Sequence, residues 1–254
     1  MGALDGKVAV VTGATSGSGR GIAKRFVEEG ASVFMLARGR ERLDEVASEL
    51  GEGAIPVVTD VGDPDSVRAA FGQVEDRFGK LDILINNAAI YRPCLVELLS
   101  DGDILKQVST NFLGPVYTCR AAIPLMRAAG FGDIVNTSSE STLDPFPMLS
   151  MYVATKSALE MFSRILAEEL RDEEIRVTNL VQGTAAGTGT GSTDWAWDPE
   201  HAVAATELWA KKGLLNRVGG HAGGQDVEDV GDVHIFIVTR PPTQKLDTVY
   251  CRSF

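Results

Sequence analysis

Ser139, Tyr152 and Lys156 follow one another as Ser-(x)12-Tyr-(x)3-Lys. The last two are four residues apart. On a helix that spacing puts both side chains on one face, with Cβ atoms about 5–6 Å apart. A phenol held in the field of a fixed ammonium becomes more acidic. Moving it from its ordinary pKa of ~10 to about 7 takes about 4 kcal/mol, which one cation at ~4 Å supplies at an effective dielectric near 20. Tyr152 tuned in this way by Lys156 can pass a proton to or from an alcohol oxygen near neutral pH. Ser139 can hydrogen-bond the same oxygen where negative charge develops.

A second chemistry-bearing stretch lies far upstream, in Thr12-Gly-Ala-Thr-Ser-Gly-Ser-Gly19. Gly13, Gly17 and Gly19, with Thr15, Ser16 and Ser18 between them, follow a β-branched run and precede a helical one. In that context Gly13 turns the chain and Gly17 allows close approach of a phosphate. Exposed N–H groups and the dipole at the helix start then favour a pyrophosphate.

The rest of the sequence must position these two stretches. Apolar runs of strand length occur at Lys7–Thr12, Ser32–Ala37, Ala54–Thr59, Leu81–Asn86, Asp133–Thr137 and Ile175–Val181, with a closing strand at Leu246–Cys251. Helical patterns fall between them. Gly30 ends the first helix, and Asp63-Pro64 opens another with proline in its first turn. A long helical segment over 103–129 carries Gly114-Pro115 as a kink. Ser150 is placed to cap the helix bearing Tyr152, whose apolar stripe is Leu159, Phe162, Ile165 or Leu166, and Leu170. A last helix over 232–240 stops at Pro241-Pro242. Near-continuous apolar strands alternating with helices predict an α/β fold. It is a single-domain, doubly wound (Rossmann) parallel seven-stranded sheet over 1–254, with helices on both faces and ligands at the carboxyl ends of the strands.

Residues 184–224 break the alternation. Gly183–Ser192 is too glycine-rich for a regular element, and Trp195, Trp197 and Trp209 follow it. Such a stretch reads as a flexible lid over a substrate pocket, or as a surface excursion whose tryptophans are core.

Bulk properties narrow the function classes. The formal net charge of −11 argues against nucleic-acid binding. The three cysteines, Cys94, Cys119 and Cys251, are scattered and form neither a CxxC spacing nor a disulfide framework, so reduced thiols in a cytoplasmic protein are expected. No secretory pattern opens the chain, and no apolar run nears the ~18 residues of a membrane span. His201, His221 and His234 have no metal-ligand spacing with other donors, so no metal is expected.

Taken together, Thr12-Gly-x-x-x-Gly-x-Gly19, Asn86-Asn-Ala-Ala89, Asn111, Ser139 and Tyr152-x-x-x-Lys156 resemble the classical short-chain dehydrogenases/reductases, in that family's order and over nearly the whole chain. The resemblance implies an oxidoreductase that moves a hydride between a nicotinamide cofactor and a secondary alcohol/ketone pair. It implies a catalytic set of Asn111, Ser139, Tyr152 and Lys156, with Asn111 holding a water in a proton relay from Lys156. Asp60 and Val61 would meet the adenine, and Asn87 and Ala88 the nicotinamide ribose. Gly183 and either Thr184 or Thr188 would meet the carboxamide. The family's Pro-Gly after the sixth strand is Gln182-Gly183 here, and its Gly-Gly-containing tail is missing from 239–254.

At the end of the second strand, where a carboxylate would accept the ribose 2′-OH of NAD, stand Ala37 and Arg38, then Arg40. A guanidinium binds a 2′-phosphate, which favours NADP, although Ser16 is not the basic residue many NADP-using relatives carry. Tyr91, Phe146, Trp195 and Trp197 are the expected substrate lining, beside Ser139 and Tyr152, and suit an apolar or ring-bearing substrate. The resemblance further implies a homodimer or homotetramer paired through the helix over 151–171. Two rival readings are a dinucleotide-sensing protein without turnover and an epimerase or dehydratase on the same fold. The first has no use for the full Asn–Ser–Tyr–Lys set. The second generally needs more chain than the ~70 residues left after the sixth strand.

Overall fold

The computed structural model describes residues 2–185, 197–214 and 225–252. Seven strands form one parallel sheet: β1 (Val8–Thr12), β2 (Ser32–Ala37), β3 (Ala54–Val58), β4 (Ile83–Asn86), β5 (Gly132–Ser139), β6 (Ile175–Gln182) and β7 (Thr248–Cys251). Their spatial order is β3-β2-β1-β4-β5-β6-β7, so the direction of winding reverses between β1 and β4. The carboxyl ends on either side of that reversal open a crevice, the ligand position of doubly wound sheets.

Alternate residues of each strand feed two cores. Ala9 and Val11 of β1 pack with α1 (Gly17–Glu28), α2 (Arg40–Leu50) and the C-terminal helix 227–238. Val8 and Val10 pack with α3 (Pro64–Phe78), with the helix 114–129 and with the helix 150–169. Strands buried on both faces explain the unbroken apolar runs. Asp63 caps α3 by accepting from the Asp65 amide, with Pro64 in the first turn.

The long helix expected over 103–129 is three pieces. α4 (Asp101–Val108) passes through a π turn at Ser109–Leu113 into α5 (Gly114–Ala129). Pro115 has no N–H to give the carbonyl of Asn111, four residues back, so the α-helical ladder lapses there. The helix bearing Tyr152, α6, runs Ser150–Glu169, with Ser150 as its first residue; no side chain caps it. Met148, at φ 68°, turns the chain just before it. Leu159, Leu166 and Leu170 face inward, whereas Ile165 and Met161 are exposed.

α7 (Pro199–Lys211) lies inside the irregular stretch, whose two ends meet: Ala185 bridges Gln225, and the Gln225 amide donates to the Thr184 carbonyl at 2.9 Å. Trp195, Thr188 and His221 lie outside the described residues, as does most of the lid expected over 184–224. The last helix, α8 (Val227–Val238), starts earlier than its apolar pattern predicts because Asp226 caps it through the Glu228 amide. Among the described residues no helix is long and apolar enough to cross a membrane.

Asp82 ties β1 to the β4 edge. Its carboxylate accepts the Val8 amide at 2.9 Å and meets the ammonium groups of Lys7 at 3.0 Å and Lys80 at 2.9 Å. Burial pushes this carboxyl up, but the amide and the two cations outweigh it and leave it below the usual carboxylate range. A lowered pKa contributes stability above the unfolded value of ~3.9, and that contribution fades as pH falls through the folded value. Asp82→Asn is therefore expected to lower the melting temperature at pH 7 and to match the parent in strong acid. Equal melting temperatures at pH 7 would rule the account out.

Candidate active site

One cleft of about 480 Å³ runs along the carboxyl ends of the strands. At one end lies the glycine turn. Gly13 and Gly17 adopt φ values of 68° and 48°, which L side chains avoid. A Cβ on Gly13 would come within 3.0 Å of Ala88 Cα, and one on Gly19 within 2.1 Å of the Gly13 carbonyl oxygen. Gly13, Thr15, Ser16, Gly17 and Ser18 line the cleft. Gly19 does not; it lies beneath, where its missing side chain lets the turn close on itself. The N-terminus of α1 stands behind the turn, so backbone N–H groups and the helix dipole supply an anion cradle. The residues present fit a dinucleotide pyrophosphate.

Thr12 joins this turn to β4, a connection that the strand pattern did not reveal. Its hydroxyl accepts the amides of Asn87 and Ala88, each at 3.0 Å, and the Asn87 side chain donates to the Thr12 carbonyl at 3.2 Å. Arg38, Asp60 and Val61 flank the cleft beyond the turn, together with Arg42. Asn87 and Ala88 line its middle.

Ser139, Tyr152, Lys156, Gly183 and Thr184 line the far end. Ser139 is the last residue of β5, and its Oγ accepts from the Ser141 amide at 3.2 Å and lies 2.9 Å from Ser141 Oγ. Lys156 is fully buried and donates to the Thr137 carbonyl at 2.6 Å. Burial alone pulls its pKa down to about 8. Its Nζ sits 5.8 Å from the centre of the Tyr152 ring.

The phenol differs from the expected one. Burial pushes the Tyr152 pKa up; a hydrogen bond with Ser139 works the other way, and the Glu140 carboxylate adds to the rise. The net shift is upward, so the protein's own groups keep Tyr152 protonated. Burial is the largest cause of the reversal, and the phenol packs against Tyr91, ring centres 5.3 Å apart.

Asn111 is fully buried in the π turn and does not line the cleft. Its Oδ1 accepts from the Ile90 amide at 2.8 Å, and its Nδ2 donates to the Ile90 carbonyl at 2.8 Å and to Thr155 Oγ1 at 3.2 Å. The side chain thus fastens the segment after Asn87-Ala88 to α6. The part of Asn111 left without its helical donor is the main-chain carbonyl.

Rings wall the outer cleft. Tyr91 meets Trp197 at 5.2 Å, Trp197 meets Trp209 at 6.5 Å, and Trp209 meets Phe146 at 5.5 Å. Tyr91, Phe146 and Trp209 line the cleft; Trp197 touches Tyr91 and Trp209 but is not among the lining residues. Trp209 was not among the expected lining residues. Its Nε1 donates to the Pro147 carbonyl at 2.8 Å, which docks α7 beside the substrate end. Among the described residues, no cluster of three or more His, Cys, Asp or Glu could hold a metal ion. His234 is buried on α8 with Nδ1 against the Val230 carbonyl, a packing role.

Comparison with known proteins shows the family and the fold. The family model described as short chain dehydrogenase matches residues 7–198. A 3beta-hydroxysteroid dehydrogenase of Mediterraneibacter gnavus is 35% identical over 199 residues, covering 76% of this chain and 70% of its own. Oxidoreductase asL5 of Sarocladium schorii is 38% identical over 239 residues, covering 93% and 90%. Among solved structures, L-sorbose reductase from Gluconobacter frateurii, complexed with NADPH and L-sorbose, aligns with a TM-score of 0.82 at 29% identity. That alignment covers 100% of this chain and 97% of the other.

Proposed function

Because this chain belongs to the short chain dehydrogenase family, and so is an oxidoreductase moving a hydride between a nicotinamide cofactor and an alcohol/ketone pair, we propose that it reduces ring-bearing ketones with NADPH, Tyr152 acting as the general acid. The observation that carries this reading is the convergence of Ser139, Tyr152 and Lys156 on the end of a cleft whose other end is the glycine turn. The bound nicotinamide supplies the hydride. Ser139 donates a hydrogen bond to the carbonyl oxygen as negative charge builds there. Tyr152, kept protonated by burial, gives that oxygen its proton. Lys156, with a pKa near 8, is mostly charged at neutral pH and steadies the phenolate left behind. Asn111 acts by holding Ile90 against α6, with its main-chain carbonyl available to a water.

Arg38, beside Ala37 at the end of β2, supports NADPH, and Arg42 adds a second guanidinium to that stretch of cleft. The ring wall of Tyr91, Phe146 and Trp209 supports a ring-bearing substrate, in keeping with the hydroxysteroid enzyme among the relatives. Exposed Met161 and Ile165 on α6 support pairing with a second copy as a homodimer or homotetramer. Three unpaired thiols, two of them buried, suit the cytoplasm.

The test is a panel of ketones assayed with NADPH and with NADH by the absorbance of the reduced ring. NADPH is expected to be the better donor, and bicyclic or larger ketones the better acceptors. Arg38→Ala is expected to cut kcat/KM for NADPH about 10- to 100-fold, the loss of a charge-assisted hydrogen bond, and to leave NADH within about threefold. A parent enzyme that prefers NADH would overturn the cofactor assignment.

A further inference from the structure

We propose that Glu160 is a positioning residue for this reaction, its carboxylate holding Ser139 at the phenol of Tyr152. The inference rests on the roles given above to Ser139 and Tyr152.

α6 presents one polar stripe to the end of β5, spaced by single helical turns. Lys156 donates to the Thr137 carbonyl at 2.6 Å, and Tyr152 hydrogen-bonds Ser139. Ser163 accepts from the Asn136 side chain at 2.9 Å. Glu160 lies between Lys156 and Ser163 on the same face, four residues after the lysine. Its Oε1 accepts from Ser138 Oγ and, at 2.7 Å, from Thr142 Oγ1. Those two hydroxyls straddle Ser139, one residue before it and three after. Thr142 Oγ1 also lies 2.8 Å from the Ser139 carbonyl oxygen, so its one proton is shared between that carbonyl and the Glu160 carboxylate.

Ser139 sits where an extended strand breaks into the short 3-10 turn Glu140–Thr142. Main-chain bonds to β6 end at that point, and the direction of the Ser139 side chain depends on what holds the turn. Glu160 accepts one charge-assisted bond from the turn, at Thr142, and one from the end of β5, at Ser138, and it does so from the helix that also carries Tyr152 and Lys156. The donor to the carbonyl oxygen and the acid that protonates it are thereby fixed to one rigid element. Glu160 is not among the cleft-lining residues, so it acts only through Ser139. A misplacement of about 1 Å in such a group costs on the order of 100-fold in rate.

The test compares Glu160→Ala, Glu160→Gln and Ser138→Ala/Thr142→Val in the full-length enzyme, reading kcat, KM for ketone and cofactor, and the pH profile of kcat. Glu160→Ala is expected to lower kcat about 10- to 100-fold while KM for the cofactor stays within about twofold. Glu160→Gln, whose amide oxygen has two lone pairs for both hydroxyls, should stay within about threefold of the parent. The apparent pKa of the profile should not move. Ser138→Ala/Thr142→Val should reproduce the loss, and adding Glu160→Ala to it should cost nothing more, because all three groups belong to one clamp. If Glu160→Ala does not fold, the double hydroxyl variant decides alone. The proposal is overturned if that double variant or Glu160→Ala keeps kcat within about twofold. It is equally overturned if Glu160→Gln falls as far as Glu160→Ala, or if the profile shifts, since the carboxylate would then act by charge. Tyr152→Phe, assayed alongside, separates the two layers: if it keeps turnover, the reading of the whole site fails. If it loses turnover while Glu160→Ala does not, the clamp alone fails.

Discussion

Tyr152→Phe is expected to lower kcat about 1,000-fold while leaving the affinity for the nicotinamide cofactor within a few-fold, measured by titration. A positioned general acid contributes roughly 10²- to 10⁴-fold, and phenylalanine removes the proton while keeping the ring. The ring matters because it packs on Tyr91 at 5.3 Å, so the variant should fold and its cleft should keep its shape. The upward shift of the phenol gives the prediction a direction in pH. With Tyr152 held above its ordinary value, ketone reduction should stay active to well above neutrality, then decline as the phenol loses its proton. Alcohol oxidation, which needs the phenolate, should rise over the same range. A Tyr152→Phe enzyme that keeps more than about a tenth of the parent kcat would remove the phenol from the mechanism. A protein that only senses the dinucleotide would show no turnover for the substitution to remove.

Arg176→Ala is expected to destabilise the fold by about 3–5 kcal/mol, the usual result of stranding one member of a buried ion pair. Arg176 Nε and Nη2 meet the two oxygens of Asp133 at 2.7 and 2.9 Å, with both side chains nearly buried. Its Nη1 serves the carbonyls of Arg240, Pro241 and Gln244 at 2.9–3.0 Å. One guanidinium therefore joins β5 and β6 to the segment leading into β7. Its removal takes from Asp133 its hydrogen-bonded counter-charge and from each of three carbonyls one donor, of which the Pro241 carbonyl keeps the Gln244 amide. At roughly 2–4 °C per kcal/mol for a chain of this size, the melting temperature should fall by roughly 6–20 °C. Pairing Asp133→Asn with Arg176→Met should cost less than Arg176→Ala alone, since no uncompensated charge remains. A loss under about 2 °C in Arg176→Ala would show that the staple carries no weight.

Much of this architecture was legible from local pattern. β2 runs over the predicted residues, and the other strands differ at their ends, because apolar runs buried on both faces announce themselves without tertiary information. The pairing of Tyr152 with Lys156 was legible because i, i+4 spacing is fixed by helical geometry, whereas Ser139 joined them only through the family resemblance. Where three-dimensional context decides, the sequence was silent. The phenol's upward shift depends on the burial of Tyr152 and on the Glu140 carboxylate near it. The use of Asn111 as a fastener for Ile90 depends on a π turn that only the missing amide of Pro115 hinted at. Glu160 reads in sequence as one more charge on a helix, and nothing local marks it as facing the strand. Trp209 could not be told from its neighbours until α7 was seen to dock on Pro147.

The bridge between Ala185 and Gln225 has an evolutionary corollary. The chain leaves β6 and reaches α8 through this pinch, and of the described residues between them α7 docks on the body through Trp209 and the Pro147 carbonyl. Closing such a loop grows dearer by only about 0.6 kcal/mol for each doubling of its length. Insertions and deletions within the stretch can therefore accumulate at little cost to the fold.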